Sequence, residues 1–248
     1  MVQSVTPYDD FAWFYDRYWN EEFHSLAFPI LERLSLARVP APSRILDVCC
    51  GTGYLAGMLT SRGYHVTGID ASPSMIRHAR ENSPDAEFRI CDATRFHFAP
   101  HFDAAFCTFD SLNHLLTPEH LESAFRNIAA ALKPGAPVAF DMLREEAYQT
   151  NWGESFALVR DDHVLTITGS SYDFRTRVAS LAITMFRLVE GSWTRSDTSI
   201  RERYYLPEEI DAALISAGFG EILCHDAAAL GMGSPLGAGR TFFVATRS

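Results

Sequence analysis

The sequence contains no run of about 18 apolar residues, the length a membrane-spanning helix requires. It does not open with a basic segment followed by an apolar one, so a secretory leader is not expected. Both absences lead to the expectation of a cytoplasmic protein with no membrane partner. Basic residues are in deficit: 21 Lys and Arg stand against 31 Asp and Glu, a formal net charge of −10. A chain this acidic is not built to grip a nucleic-acid backbone or an anionic lipid surface. Cysteine is sparse and odd in number, five residues (Cys49, Cys50, Cys91, Cys107, Cys224), mostly inside apolar runs. That pattern predicts reduced core thiols, not a disulfide framework. The adjacent Cys49 and Cys50 have no second pair and no histidine cluster at ligand spacing, so no metal site is expected. Repeats and low-complexity tracts are missing too.

What the chain does have is material for a core. Its 248 residues are 47% hydrophobic and 12% aromatic, enough for one large α/β domain. The stretch that organises the chain is Arg44-Ile-Leu-Asp-Val-Cys-Cys-Gly-Thr-Gly-Tyr-Leu-Ala56. Ile45, Leu46 and Val48 suit a buried parallel strand. Gly51 and Gly53 allow a sharp turn and close approach of a ligand to the backbone. Leu55, Met58 and Leu59 then follow at helical spacing. Free N–H groups at such a helix start favour a carboxylate or phosphate.

Alternation continues from there. Strands are predicted over 64–69, 86–91, 103–108 and 136–141, and helices over 53–62, 73–80 and 118–132. Ser72-Pro73 and Thr117-Pro118 read as helix caps followed by proline at the first helical position. After residue 150 the pattern changes. Residues 154–205 lack a helical period and read as antiparallel strands with turns at Asp161-Asp162, Asp173-Phe-Arg175 and Glu190-Gly-Ser192. A helix from Pro207 and two last strands, 219–225 and 241–246, complete the chain. The expectation is a single α/β domain over 1–248. It comprises a doubly wound, mostly parallel seven-stranded sheet, an N-terminal helical cap over 8–40 and an antiparallel β insert over 154–205. The cap is rich in aromatics (Phe11, Phe14, Tyr15, Tyr18, Trp19). It is expected to pack on the sheet or to form a lid whose Tyr8 or Tyr15 offers a hydroxyl.

Ligands of doubly wound sheets bind at the carboxyl ends of the strands. The polar residues predicted there are Asp47, Asp70, Asp92, the loop Asp110 to His114, and Asp141. An acid closing the second strand, Asp70, suits two vicinal ribose hydroxyls, and Asp92 suits an adenine amino group. Gly51-Thr-Gly53-Tyr-Leu-Ala56 also satisfies the dinucleotide fingerprint, so an NAD(P)-dependent oxidoreductase enters as an alternative. Asp47 weighs against it, because a carboxylate ahead of the turn repels a pyrophosphate and attracts a cationic amino group.

Four segments in order resemble the class I S-adenosylmethionine-dependent methyltransferases: Leu46-Asp-Val-Cys-Cys-Gly-Thr-Gly53, Val66-Thr-Gly-Ile-Asp-Ala-Ser-Pro73, Cys91-Asp-Ala93 and Leu132-Lys-Pro-Gly135. The resemblance implies S-adenosyl-L-methionine as cofactor. It implies that Asp47, Gly51 and Gly53 hold the methionine end, that Asp70 holds the ribose, and that Asp92 with the Ala93 backbone reads adenine. Ala71 and Met75 become walls for the base, and Cys49, Phe109 and Tyr15 join the cofactor set. Cys49 replaces the turn's usual first glycine, a change expected to be tolerated if its backbone angles are ordinary. The late insert and the glycine-rich loop before Arg240 resemble, more loosely, the branch that N-methylates nucleotide-linked amino sugars.

The implied activity is methyl transfer to an N or O atom of a small-molecule acceptor by in-line displacement. The non-catalytic alternative is a module that only binds the cofactor. The fourth-strand loop lacks the N/D-P-P-Y string of many N-methyltransferases. His114 is the candidate base, its reference pKa lying near neutrality, with capping of the loop as its other reading. Tyr15 and Tyr204 are further catalytic candidates. Arg240 is read either as an anion-binding group or as a surface ion pair. The acceptor's identity is left open, as is a homodimer.

Overall fold

The computed structural model describes residues 6–150, 155–233 and 235–248. Two helices, α1 (Tyr8–Tyr18) and α2 (Asn20–Leu34), precede the sheet and break at Trp19. The central elements then alternate as β1 (Arg44–Val48), α3 (Tyr54–Thr60), β2 (His65–Asp70), α4 (Pro73–Asn82), β3 (Glu87–Ile90), β4 (Ala104–Cys107), α5 (Pro118–Ala131) and β5 (Pro137–Leu143). The caps form as the sequence predicts. The Ser72 hydroxyl accepts from the Met75 N–H at 3.1 Å and the Thr117 hydroxyl from the His120 N–H at 3.3 Å. A short helix that the sequence pattern does not reveal, α6 (Glu145–Thr150), follows β5 and buries Ala147 and Tyr148. Its single apolar contact face is too short for periodicity to register.

The insert forms its own four-stranded antiparallel sheet, with β6 (Phe156–Val159), β7 (His163–Asp173), β8 (Val178–Val189) and β9 (Ser192–Arg203) in sequential order. Glu154, the first residue assigned to the insert, lies outside the described residues. The chain returns through α7 (Pro207–Ser216), β10 (Phe219–Asp226) and β11 (Arg240–Arg247).

The main sheet has seven strands in the order β10-β11-β5-β4-β1-β2-β3. Only β11 runs against its neighbours, β5 and β10. The near-continuous apolar burial of β1, β4 and β5 follows from helices covering both faces. The strand order reverses between β1 and β4, and the crevice at their carboxyl ends is where such sheets bind ligands.

Cap and insert close over that crevice. Phe11 and Phe14 of α1 pack against Leu165, Ile183, Met185 and Ile200 on the inner face of the insert. Burying each such side chain contributes roughly 1.5–3 kcal/mol. α2 faces the other way and packs Phe23, Ala27 and Phe28 against the sheet. The cap therefore serves as both packing element and lid. Among the described residues no helix is long and apolar enough to cross a membrane.

Candidate active site

A cavity of about 500 Å³ opens at the carboxyl ends of β1, β2 and β4, within the range of small-ligand sites. The chain lines one half of it with Cys49, Gly51, Asp70, Ala71, Met75, Asp92, Ala93 and Phe109. These are residues the sequence assigned to the cofactor. Helical spacing puts Tyr8, Phe11, Tyr15 and Trp19 on one face of the cap, and that face forms the roof.

The turn after β1 is the floor. A Cβ on Gly51 would meet the Tyr15 ring at 3.3 Å, so the roof rests directly on the turn. Asp70 Oδ2 accepts the Gly51 N–H at 3.1 Å and Oδ1 accepts the Ser72 N–H at 2.8 Å. Burial raises the Asp70 carboxyl to about 6 against those two donors. Asp9 of the cap accepts from the Ser72 hydroxyl at 2.7 Å and from the Ser74 N–H at 3.2 Å, which pins α1 to the start of α4.

Two expected cofactor residues lie behind this surface. Gly53 is left-handed (φ 81°) and packed so closely that a Cβ would lie 3.0 Å from both Ala79 and Phe88. Its visible role is to let α3 and α4 approach. Asp47 is buried beneath the turn, 1% exposed. Its Oδ2 has no hydrogen-bond partner. Burial, with the neighbouring Asp70 charge, pushes its carboxyl up to about 8.

The Cys49 backbone corrects the sequence expectation. Its φ is 57°, in the left-handed region where a Cβ is disfavoured. Gly51 (φ 52°) and Gly53 (φ 81°) lie in the same region within the same turn.

The other half of the cavity is acidic. The 3-10 turn Ser111–His114 after β4 presents His114, and β9 presents Ile200 and Glu202 on its inner face. The Tyr8 hydroxyl lies 2.9 Å from His114 Nε2, and His114 Nδ1 lies 3.1 Å from the Arg201 carbonyl. A carbonyl only accepts, so Nδ1 carries the proton and Nε2 presents its lone pair. Burial lowers the His114 pKa, opposed by the charge of Asp110. Burial likewise holds the Glu202 carboxyl well above its ordinary range, with Asp110 adding to the effect. The Tyr148 hydroxyl donates to Glu202 Oε2 at 2.9 Å. Single donor atoms of Asp110, His114 and Glu202 lie within 4.8 Å of one another, a cluster that motif spacing does not register. Tyr148 donates to Glu202, Tyr8 meets His114, and the Arg240 guanidinium lies 2.7 Å from Asp110 Oδ1 as an ion pair.

Arg240 follows neither sequence reading. It is 3% exposed and lies 2.7 Å from Asp110 Oδ1 while also gripping Asp141 Oδ2. Tyr204 is the candidate that the fold does not bring to the cavity. It lies past the end of β9, packed on the cluster of Leu143, Ala147, Tyr148 and Ala179. Trp193, at the far end of the insert, is 51% exposed and also remote from the cavity. Glu202 went unnoticed in the sequence. Its only signal was the two-residue period that puts it on the same strand face as Ile200.

Comparisons with known proteins agree with this geometry. Residues 45–135 match a family model described as a methyltransferase domain. A dTDP-3-amino-3,4,6-trideoxy-α-D-glucopyranose N,N-dimethyltransferase from Streptomyces venezuelae is 29% identical over 186 residues, covering 73% of this chain and 77% of that protein. An S-adenosylmethionine-dependent methyltransferase from Clostridium acetobutylicum superposes with a TM-score of 0.78 at 19% identity, over 98% of this chain and 100% of that one. An amino pentose methyltransferase from Micromonospora echinaspora, solved with S-adenosylmethionine bound, superposes with a TM-score of 0.71 at 25% identity, over 91% of this chain and 92% of that one. The ordered motifs, the strand order and these relatives converge: the chain is a class I S-adenosylmethionine-dependent methyltransferase whose architecture resembles the amino-sugar N,N-dimethyltransferase branch.

Proposed function

We propose that this methyltransferase acts on an amine nitrogen of a small molecule, and that the amine is carried by a nucleotide-linked sugar. The observation that carries this reading is the charge of the acceptor half. Asp110 and Glu202 line it, and Arg240, the one Arg or Lys among the described residues lining the cavity, is held by Asp110 and Asp141. A carboxylate acceptor would find no available cation there, whereas an ammonium would find two carboxyl groups. The sugar part of the reading is supported by the similarity to the Streptomyces venezuelae enzyme.

The cofactor half fits S-adenosylmethionine on the chain's own evidence. Asp47 Oδ2, buried just beneath the turn, has no hydrogen-bond partner, and the ammonium of a methionine tail seated on the turn would supply a donor and the charge that lets Asp47 ionise. We assign Gly51 and Cys49 to the methionine end, Asp70 to the ribose, and Asp92 and Ala93 to adenine, with Ala71, Met75, Phe109 and Tyr15 as walls. Bound there, the cofactor supplies a methyl group on an electrophilic sulfonium. Cap, sheet and insert all contribute walls, so we read them as one functional domain.

The remaining steps belong to the protein. Asp110 and Glu202 hold the acceptor as its ammonium, which has no lone pair. His114, kept neutral by burial, takes the proton at Nε2 and leaves the free amine. Glu202 Oε1 lies 3.5 Å from Nε2, and the neighbouring Asp110 charge stabilises the imidazolium. The aromatic roof excludes water and aligns the amine, and alignment is worth about 7–11 kcal/mol in favourable cases.

The test is a direct competition between a dTDP-linked 3-amino sugar and its 3-hydroxy analogue, with products read by mass spectrometry. Methylation confined to the amine, with a rate that rises with pH, is the expected result. Faster methylation of the hydroxyl analogue would overturn the reading.

A further inference from the structure

Two consecutive non-glycine residues at the end of β4 are left-handed, Phe109 (φ 62°) and Asp110 (φ 50°). Such a pair persists only where surrounding groups over-determine it. Here the groups are visible. Asp141, fully buried on β5, accepts the Phe109 N–H on Oδ1 at 2.7 Å and the Asp110 N–H on Oδ2 at 3.0 Å. Pairing of β4 with β5, Cys107 beside Phe140, delivers this carboxylate to the two amides.

Arg240 closes a second ring on the same turn. It bridges Asp141 and the Asp110 side chain, and its Nε donates to the Leu236 carbonyl at 2.9 Å. Its guanidinium lies 4.9 Å from the Phe23 ring and 5.5 Å from the Phe109 ring. Those two rings stack at 4.1 Å and 5°. Burial and the Asp110 charge raise the Asp141 carboxyl, while Arg240 and the Asp110 amide pull it down.

We propose that Arg240 and Asp141 are positioning residues for the acceptor: they hold the left-handed Phe109–Asp110 turn so that the Asp110 carboxylate faces His114 and Glu202, and thereby select a cationic acceptor. This rests on the amine reading above. Neither residue needs to touch the acceptor. Release of the clamp lets the turn relax toward ordinary angles and swings Asp110 away from Glu202, so the ammonium loses its main counter-charge. The cofactor half keeps the residues that follow β1 and β2, and only its Phe109 wall shifts with the turn.

The test measures acceptor kcat and KM, S-adenosylmethionine affinity by calorimetry, and melting temperature for Arg240→Gln, Asp141→Asn and Arg240→Lys. For the first two, kcat/KM for the amine falls on the order of 10²-fold, the scale of a small misplacement. Most of that loss appears in KM, while cofactor affinity, which draws on this turn only through the Phe109 wall, falls by a far smaller factor. Arg240→Lys keeps the charge without the fork and recovers part of the loss. If Arg240→Gln does not fold, the near-isosteric Asp141→Asn decides. Cofactor affinity and acceptor kcat/KM falling by the same factor, or an unchanged KM, would overturn the proposal. The wild type's preference among amine, hydroxyl and carboxylate acceptors tests the amine reading alone. The split between acceptor KM and cofactor affinity tests the clamp.

Discussion

The Tyr8 hydroxyl lies 2.9 Å from Nε2 of His114, joining the first turn of the cap to the loop after the fourth strand across 106 positions of sequence. In the free enzyme that hydroxyl occupies the nitrogen an acceptor must use. The contact therefore gives the cap a reason to adjust when the acceptor enters, while the Arg201 carbonyl on Nδ1 fixes which histidine nitrogen is basic. Replacement His114→Asn is expected to lower kcat by about 10²-fold, the lower end of what a positioned base supplies, with cofactor affinity unchanged. Burial holds the His114 pKa below its ordinary value. The wild-type rate therefore falls as pH drops through that lowered value, and the variant's rate loses this limb. A pH–rate profile of the variant with the wild-type shape would remove His114 from the chemistry.

Asp47 shows the same coupling of burial to binding, with a cost in stability. Its folded pKa, about 8, lies above the unfolded value of about 4. The folded protein thus holds an extra proton between those values, and its stability falls as pH rises through the window. Asp47→Asn should raise the melting temperature of the cofactor-free protein. The advantage should grow with pH, at a slope approaching about 1.4 kcal/mol per pH unit. The same change should weaken S-adenosylmethionine binding. Thermal melts across this range, with and without the cofactor, check both halves. A pH-independent difference would mean that Asp47 is ionised in the free protein.

Asp70 makes the corresponding case for the ribose. Its oxygens already accept the Gly51 and Ser72 amides, which aim the carboxylate at the cavity edge. Asp70→Ala should cost roughly 1–3 kcal/mol of cofactor affinity, the value of lost charge-assisted hydrogen bonds. In the wild type, affinity should decline as pH falls through about 6, where the buried carboxyl gains its proton. Calorimetric titration at several pH values measures this. Unchanged affinity in a folded variant would place Asp70 outside the site.

The cofactor half was legible because its signals are local. The glycine turn, Asp70 and Asp92 each follow a predicted strand, Asp47 sits near the end of one, and the parallel sheet brings strand ends together. The acceptor half was not, because its residues meet through tertiary structure. Glu202 reaches His114 only through the register of β9 and the docking of the insert on α1. In sequence, Arg240 reads as an anion-binding group or a surface ion pair because nothing in its neighbourhood announces Asp141, which reaches it through the pairing of β11 with β5, or Asp110, which comes from the loop after β4. Tyr204 was a reasonable candidate on composition, yet the strand ends one residue before it and the chain turns toward α7.

Cys49 offers the last test, because there the local pattern and the backbone disagree. Its φ of 57° is one that costs a side-chain-bearing residue about 1–2 kcal/mol. Glycine removes that strain but adds roughly 0.5–1 kcal/mol of unfolded-state entropy. The thiol also packs against the core that includes Cys107. Cys49→Gly should therefore stabilise the protein by only about 0.5 kcal/mol or less. Cys49→Val should destabilise it, since a β-branched residue tolerates positive φ least. Because Cys49 lines the cavity, the valine should also weaken the cofactor, whereas glycine leaves affinity equal or tighter. Chemical denaturation and cofactor titration of the two variants separate backbone strain from side-chain contact. If valine proves neutral in both measurements, the turn is not held at a left-handed angle in solution. If glycine weakens binding, the thiol itself touches the methionine end.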